Sequence, residues 1–125
     1  MIQSIRSVAS LLLSTFFLLT AMGLSGYLIP VRAVAEGWST FTISLIATGY
    51  AIAFTVSCII TPRLVLRVGH VRLFGALTTI MAMSYLLHSL LVHPAIWVLT
   101  RAMAGFAIAG AYMIIESWLN EKVSN

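Results

Sequence analysis

The sequence predicts an all-α membrane protein with four transmembrane helices, and three observations support this fold class. Only 8% of the 125 residues are charged, against about 25% in soluble domains, and the mean hydropathy is +1.06. Four apolar runs each reach the roughly 20 residues that a helix needs to cross a bilayer. The basic residues outside these runs fall mainly on one side of the predicted membrane. This composition excludes an ordinary soluble enzyme, a disordered tail and a nucleic-acid-binding protein.

The four predicted helices cover residues 8–30, 40–61, 73–91 and 95–119. The first run has about 23 residues, whereas the apolar region of a secretory signal has about 7 to 15, so we expect a retained helix rather than a cleaved signal. The links 31–39, 62–72 and 92–94 are short, which predicts that consecutive helices run antiparallel. The sequence lacks the two-residue alternation of the strands in a membrane barrel.

The distribution of basic residues predicts the orientation in the membrane. In the predicted four-helix topology, one side of the membrane carries Arg6, Arg63, Arg67, Arg72 and Lys122. The other side carries only Arg32, which is close to Glu36. Because lysine and arginine accumulate in cytoplasmic segments, we expect both termini in the cytoplasm and the lipid bilayer as the protein's surroundings. Tryptophans near helix ends are typical interface anchors, and Trp38, Trp97 and Trp118 occupy such positions.

The fourth helix carries the most informative polar stripe. Successive residues of a helix are rotated by about 100° about its axis. On this basis five residues lie within about 80° of one another on one face: Arg101, Gly105, Ile108, Tyr112 and Glu116. An arginine within an apolar span usually faces a bundle interior or a watery cavity. Arg101 therefore predicts a cavity that holds a substrate or a coupling proton. The alternatives are an arginine that snorkels towards the membrane surface and a structural pair with another helix.

Glu116 lies about 22 Å along the helix axis from Arg101, too far for an ion pair within the helix. It is expected at the cytoplasmic edge, level with the basic link 62–72. We therefore predict an ion pair of Glu116 with Arg67 or Arg63. The alternative is a solvated glutamate at the membrane interface.

Small residues recur at helical spacing in the second helix, at Ser44, Thr48, Ala51, Thr55 and Cys58. Such a seam lets two helices approach closely, so we predict a packing face, with a hydroxyl-lined permeation path as the less favoured alternative. The same packing role is predicted for Gly23 and Gly26 in the first helix. In the fourth helix it is predicted for Ala102, Gly105 and Ala109.

The remaining residues give no indication of catalysis. His88 and His93 lie near the outer end of the third helix without an acidic partner, so a structural role is favoured over a proton relay. His70 falls in the basic link and is expected to be solvated. The single cysteine, Cys58, excludes an intramolecular disulfide and a multi-cysteine metal site. No metal-binding, phosphate-binding or nucleophile motif is present, so we predict no enzymatic activity, no cofactor and no metal.

Two segments resemble the major facilitator superfamily of transporters. The link 62–72, PRLVLRVGHVR, resembles the family's cytoplasmic loop pattern G-x-x-x-D-R-x-G-R-R, whose later part is matched by Arg67, Gly69 and Arg72. Pro62, Leu66, His70 and Val71 depart from that pattern. Residues 101–110, RAMAGFAIAG, are similar to the arginine-plus-glycine pattern of the family's fourth helix. The run 116–121, ESWLNE, together with the link, resembles the YcaD-like bacterial branch.

The resemblance implies that residues 1–125 form part of an amino-terminal domain, equivalent to the first four of twelve helices. It implies a fragment of a secondary transporter that moves a small solute by alternating access in a bacterial inner membrane. The missing partner would be the carboxy-terminal half or another copy. Arg101, Gly105 and Tyr112 would belong to the cavity or to proton coupling. The cytoplasmic gate would contain Arg63, Arg67, Gly69, Arg72 and Glu116.

Two other functions fit four helices. A small multidrug exporter works as a dimer of four-helix chains, but it needs a membrane-embedded glutamate in the first helix, where this sequence has no acidic residue. A non-transporting assembly or regulatory subunit would use its small-residue seams to bind partner helices.

Overall fold

The structure is a computed structural model that describes residues 1–124 as four α-helices with short connections. The helices are α1 (Ile2–Ala35), α2 (Thr40–Val68), α3 (His70–Leu90) and α4 (Pro94–Ser124). Each is long and apolar enough to cross a membrane. The predicted fold class, an all-α chain with four membrane-spanning helices, is confirmed.

Helix α4 lies at the centre of the bundle. It buries eleven residues, whereas α1 buries only Leu18, Ile29 and Ala33. Helices α2 and α3 pack along α4, and α1 contacts it less extensively. The main core is formed where Leu73, Leu77 and other apolar residues of α3 meet the buried face of α4. Since α1 leaves most of its apolar surface exposed, its stability in the bundle depends on lipid or on further protein.

Two glycines allow the neighbouring helices to approach α4. A Cβ atom at Gly105 would lie 2.5 Å from the backbone carbonyl oxygen of Tyr50 in α2, and one at Gly110 would lie 2.6 Å from Cδ1 of Leu77 in α3. The hydroxyl of Ser57 in α2 donates a hydrogen bond of 2.7 Å to the carbonyl oxygen of Phe106 in α4. Close packing of small residues with one interhelical hydrogen bond is typical of membrane helices. The packing role predicted for Gly105 is confirmed, whereas Gly23 and Gly26 face open space.

The prediction that the small-residue face of α2 packs inside the bundle is wrong. Its five residues, Ser44, Thr48, Ala51, Thr55 and Cys58, are all exposed, and α2 instead buries Ile46, Ser57 and Thr61. The hydroxyls of Ser44, Thr48 and Thr55 each donate to the carbonyl four residues earlier in α2. Because those bonds satisfy the hydroxyls within one helix, they need no partner helix.

The predicted link 62–72 is almost entirely helical. Helix α2 continues through Pro62 to Val68, and α3 begins at His70, so Gly69 is the only residue between them. Proline is tolerated within membrane helices because neighbouring groups satisfy the freed backbone carbonyl. Gly69 has φ +90° and ψ 158°, a conformation that is essentially restricted to glycine. The sharp turn between α2 and α3 therefore depends on this glycine.

At the end of the bundle where α1 ends and α4 begins, Trp97 is a core residue. Its side chain is 2% exposed, its indole N–H donates to the carbonyl oxygen of Leu91 at 2.8 Å, and its ring lies 4.8 Å from that of Trp38. The prediction that Trp97 anchors the protein at the interface is therefore wrong. Its ring packs with Ala33 and Ile46, because α1 and α2 converge on the first turn of α4.

The opposite end joins the start of α3 to the last turns of α4. The ring of His70 stacks on Trp118 with the centroids 6.0 Å apart, and His70 Nε2 lies 3.1 Å from the Ser117 hydroxyl oxygen. His70 is expected from the sequence to be solvated, but it is half-buried in the first turn of a helix. The first turn of α1 and the last turns of α4 also meet here, because Gln3 and Lys122 line one depression.

Candidate functional site

Arg101 lies among side chains from all of the other helices. Its guanidinium carbon is 4.2 Å from the centroid of the Tyr50 ring in α2, and its Nη1 donates to the hydroxyl oxygen of Ser25 in α1 at 3.3 Å. The Ser25 hydroxyl is also 3.2 Å from the hydroxyl oxygen of Tyr85 in α3. These contacts hold the guanidinium within the bundle, in agreement with the predicted inward orientation and against snorkelling.

Within residues 1–124, no carboxylate forms an ion pair with Arg101. The sequence contains three acidic residues, Glu36, Glu116 and Glu121. Glu36 forms an ion pair of 2.7 Å with Arg32 in the last turn of α1. Glu116 and Glu121 lie about 22 and 30 Å further along α4 than Arg101. Among residues 1–124 the guanidinium therefore pairs with no carboxylate, and its polar contacts include the Ser25 hydroxyl and the Tyr50 ring.

A small cavity of about 150 Å³ adjoins the guanidinium between α1, α2 and α4. Arg101 is the only charged residue in its wall, and Tyr50 forms part of the same wall. The other lining residues are small or apolar, including Gly26, Pro30 and Ala47. A cation in an otherwise apolar wall is suited to bind a small anion, because the low local dielectric strengthens the attraction between opposite charges.

A wider groove of about 600 Å³ lies between α1 and α3. Its polar residues include Ser25, Tyr85 and His88, and Arg32 also lines it. Ser25 therefore connects the groove to the guanidinium of Arg101. The rest of the wall is apolar, so the groove can accommodate the hydrophobic part of a solute or a lipid chain.

His88 bridges α3 and α4 beside this groove. Its side chain is 8% exposed, its Nδ1 is 2.6 Å from the carbonyl oxygen of Ser84, and its Nε2 is 3.3 Å from the hydroxyl oxygen of Thr100. The ring also packs against Trp97 at 5.2 Å. These contacts agree with the structural role that the sequence favoured. By contrast, His93 is exposed and accepts a hydrogen bond from the backbone N–H of Ala95 at the start of α4.

The other residues of the predicted stripe do not surround the cavity. Ile108 is 1% exposed in the core, and Tyr112 packs half-buried against the same core. Gly105 contacts the backbone of Tyr50, so it positions that tyrosine rather than lining the cavity. Gly105 and Tyr112 therefore do not line the small cavity beside Arg101, and their predicted role in a substrate cavity or in proton coupling stays a prediction.

The predicted ion pair of Glu116 is not formed. Within residues 1–124, the one ion pair joins Arg32 and Glu36, and Glu116 is exposed. Arg63 and Arg67 lie on exposed positions of α2, and Arg72 is exposed in the first turn of α3. Since α2 remains helical as far as Val68, its arginines are fixed to the helix surface and do not reach Glu116 as flexible loop residues would.

The residues missed by the sequence analysis are Ser25, Tyr50 and Tyr85. All three are polar residues within apolar helices, and this polarity is the feature of the sequence that could have indicated them. Helical spacing along one chain segment could not identify them, because each belongs to a different helix. Their convergence on Arg101 depends on how the helices pack.

Within residues 1–124 no three side chains of histidine, cysteine, aspartate and glutamate are grouped so as to hold a metal ion. Comparisons of the chain with models of protein families, with curated proteins and with solved structures find no match. The resemblance to the major facilitator superfamily therefore depends on the sequence motifs alone.

Proposed function

We propose that this chain is part of a secondary transporter that moves a small anionic solute across a membrane by alternating access. One observation carries the proposal: the Arg101 guanidinium lies among four helices, beside a cavity, without a carboxylate partner. Charged residues within membrane helices are costly and usually belong to substrate or ion pathways. An anionic group on the solute would supply the counter-charge that the protein lacks.

In this mechanism the anion of the solute binds the guanidinium from the cavity. The Tyr50 ring and the Ser25 hydroxyl orient the guanidinium from its other sides, so that little movement is needed on binding. The opposite wall of the path would come from further helices or from a second copy of the chain. The exposed apolar faces of α1 leave room for that wall.

The resemblance adds a proposed cytoplasmic gate. It would comprise Arg63, Arg67 and Arg72, with Gly69 as the hinge between α2 and α3. Five basic residues at one end of the bundle support cytoplasmic termini, and the resemblance supports a bacterial inner membrane.

The proposal is tested with the full chain in proteoliposomes. Uptake of labelled carboxylates, sulfate and phosphate is measured for the native protein, Arg101→Gln and Arg101→Lys. We expect uptake of at least one anion, its loss in Arg101→Gln and partial retention in Arg101→Lys, which keeps the charge. Circular dichroism and gel filtration establish that the variants fold. Uptake that is equal in Arg101→Gln and the native protein would contradict the assignment.

An assembly subunit is a second candidate function, favoured by the open surface at Gly23 and Gly26. Small residues on an exposed membrane helix allow a partner helix to approach. Cys58 is exposed on α2 and provides a crosslinking site. A discrete disulfide-linked homodimer in native membranes, together with no anion uptake, would favour this function over transport.

A further inference from the structure

The shortest helix marks where the membrane boundary lies. Helix α3 has 21 residues and is therefore about 31 Å long, which matches the hydrocarbon thickness of about 30 Å. Its first residue, His70, stacks on Trp118 of α4. Trp118 thus lies level with one hydrocarbon boundary, a typical position for a membrane tryptophan.

Lys122 lies one helical turn beyond Trp118, about 6 Å further from the membrane centre. That position falls within the headgroup layer, since a bilayer with its headgroups is about 40 to 45 Å thick. The first turns of α1 are at the same level, because Arg6 shares a surface depression with Lys122 and Trp118. Two cations therefore line one depression at the depth of the lipid phosphates.

The depression has a volume of about 430 Å³ and is lined by only two helices. Its polar wall comprises Gln3, Arg6, Ser7, Ser10 and Lys122. Leu11 and Trp118 supply the apolar part, on the side nearer the hydrocarbon. None of these residues is acidic, and the α1 residues have the spacing of one helix face.

We propose that this depression binds the headgroup of an anionic phospholipid, with the phosphate held between Arg6 and Lys122. The arrangement matches the parts of such a lipid in order. Basic side chains lie at phosphate depth, hydroxyl and amide groups lie beside them, and Leu11 and Trp118 lie where the glycerol and the first methylene groups would follow. Basic pockets between membrane helices are known to recognise anionic headgroups.

A lipid fits this site better than a free anion does. Arg6 and Lys122 are exposed, so an ion held by them alone would remain hydrated and would exchange with water. A lipid is retained additionally by its acyl chains, which stay in the bilayer beside the exposed apolar surface of α1. The site is also separate from Arg101, which lies about 30 Å away along α4, and does not depend on the transport proposal.

The test is native mass spectrometry of the full chain in mild detergent with equimolar phosphatidylglycerol and phosphatidylcholine of matched acyl chains. Basic residues near a membrane surface contribute about 1 kcal/mol each, so two of them predict a preference for phosphatidylglycerol of up to about 30-fold. The double variant Arg6→Gln with Lys122→Gln should bind the two lipids about equally. The exchange Arg6→Lys with Lys122→Arg should keep the preference.

The matched control is Arg63→Gln with Arg67→Gln, which removes the same charge from exposed positions of α2 outside the depression. We expect it to keep the preference. An equal loss in this control would overturn the proposal, because diffuse charge would then explain the binding. A native protein without a preference would also overturn it. Displacement of the lipid by millimolar inorganic phosphate would reassign the depression to a free anion and equally overturn the lipid site.

Discussion

Tyr50 contacts Arg101 with its ring and Gly105 with its backbone. The ring centroid lies 4.2 Å from the guanidinium carbon, and the carbonyl oxygen of Tyr50 lies 2.5 Å from the point where a Cβ of Gly105 would be. The absence of a side chain at Gly105 lets α2 come close enough to bring the tyrosine beneath the arginine one turn earlier in α4. The electrostatics of Arg101 thus depend on a packing contact between two backbones.

Tyr50→Phe and Tyr50→Leu should have different effects. The Tyr50 hydroxyl is buried and has no hydrogen-bond partner within residues 1–124, so Tyr50→Phe should leave stability unchanged or raise it by up to about 1 kcal/mol. Tyr50→Leu removes the aromatic face and should lose about 2 kcal/mol of cation–π attraction. Thermal unfolding in detergent measures both variants. Equal stability of the two would mean that the aromatic face contributes nothing to the placement of Arg101.

Gly105→Ala should destabilise the bundle by about 1 to 3 kcal/mol, the usual effect of overpacking. The new methyl group would meet a backbone carbonyl, which cannot move unless α2 and α4 separate. Gly26→Ala is the matched control, because nothing lies within 4 Å of its Cβ position. Denaturant unfolding should show a loss for Gly105→Ala and no loss for Gly26→Ala. Similar values for both would indicate that α2 and α4 do not pack closely at Gly105.

The sequence predicted the number of helices and the inward orientation of Arg101, because both depend on hydrophobicity along a single segment. It did not predict which face of α2 packs, since small residues occur on two faces of that helix. Ser57 and Thr61 face α4, while Thr55 and Cys58 are exposed. The choice between the faces is made by the close contact at Gly105, which belongs to another helix.

Packing between helices, which one segment of sequence does not reveal, also explains the wrong predictions at the helix ends. Trp97 stands near a predicted helix end, where a tryptophan usually meets lipid headgroups. Helices α1 and α2 converge on it, and only their packing shows that it is buried. The predicted link begins at Pro62, but α2 continues through it, and Leu64 and Val65 beyond it still pack against the core.

Gly69→Ala should destabilise the protein by about 1 to 3 kcal/mol through backbone strain alone. Its φ of +90° and ψ of 158° are disfavoured for any residue with a Cβ, although no atom lies within 4 Å to cause a clash. Gly75→Ala provides the comparison, since its Cβ position is equally open and its φ is that of an ordinary helix. We expect a lower unfolding temperature for Gly69→Ala only. If Gly69→Ala has native stability, the turn adapts to a side chain and Gly69 is not a required hinge.

The orientation in the membrane should follow from the basic residues at the end of the bundle where α1 begins and α4 ends. Placing that end outside would require the transfer of Arg6, Arg63 and Arg67, together with other cations, across the bilayer. At the opposite end the one basic residue is Arg32, which is paired with Glu36. Two single-cysteine variants in a Cys58→Ser background test this in intact bacterial cells with a membrane-impermeant maleimide. Val92→Cys lies in the exposed connection before α4, and Ser4→Cys lies in the first turn of α1.

We expect Val92→Cys to be labelled in intact cells and Ser4→Cys to be labelled only after permeabilisation. The Cys58→Ser protein alone should not react and serves as the control. The reverse pattern would place the basic end outside the cytoplasm. It would also remove the proposed cytoplasmic gate, because Arg63, Arg67 and Arg72 lie at the same end of the bundle as Ser4. Labelling of both variants in intact cells would indicate two populations of opposite orientation, which small membrane proteins adopt when the bias in basic residues is too weak to select one.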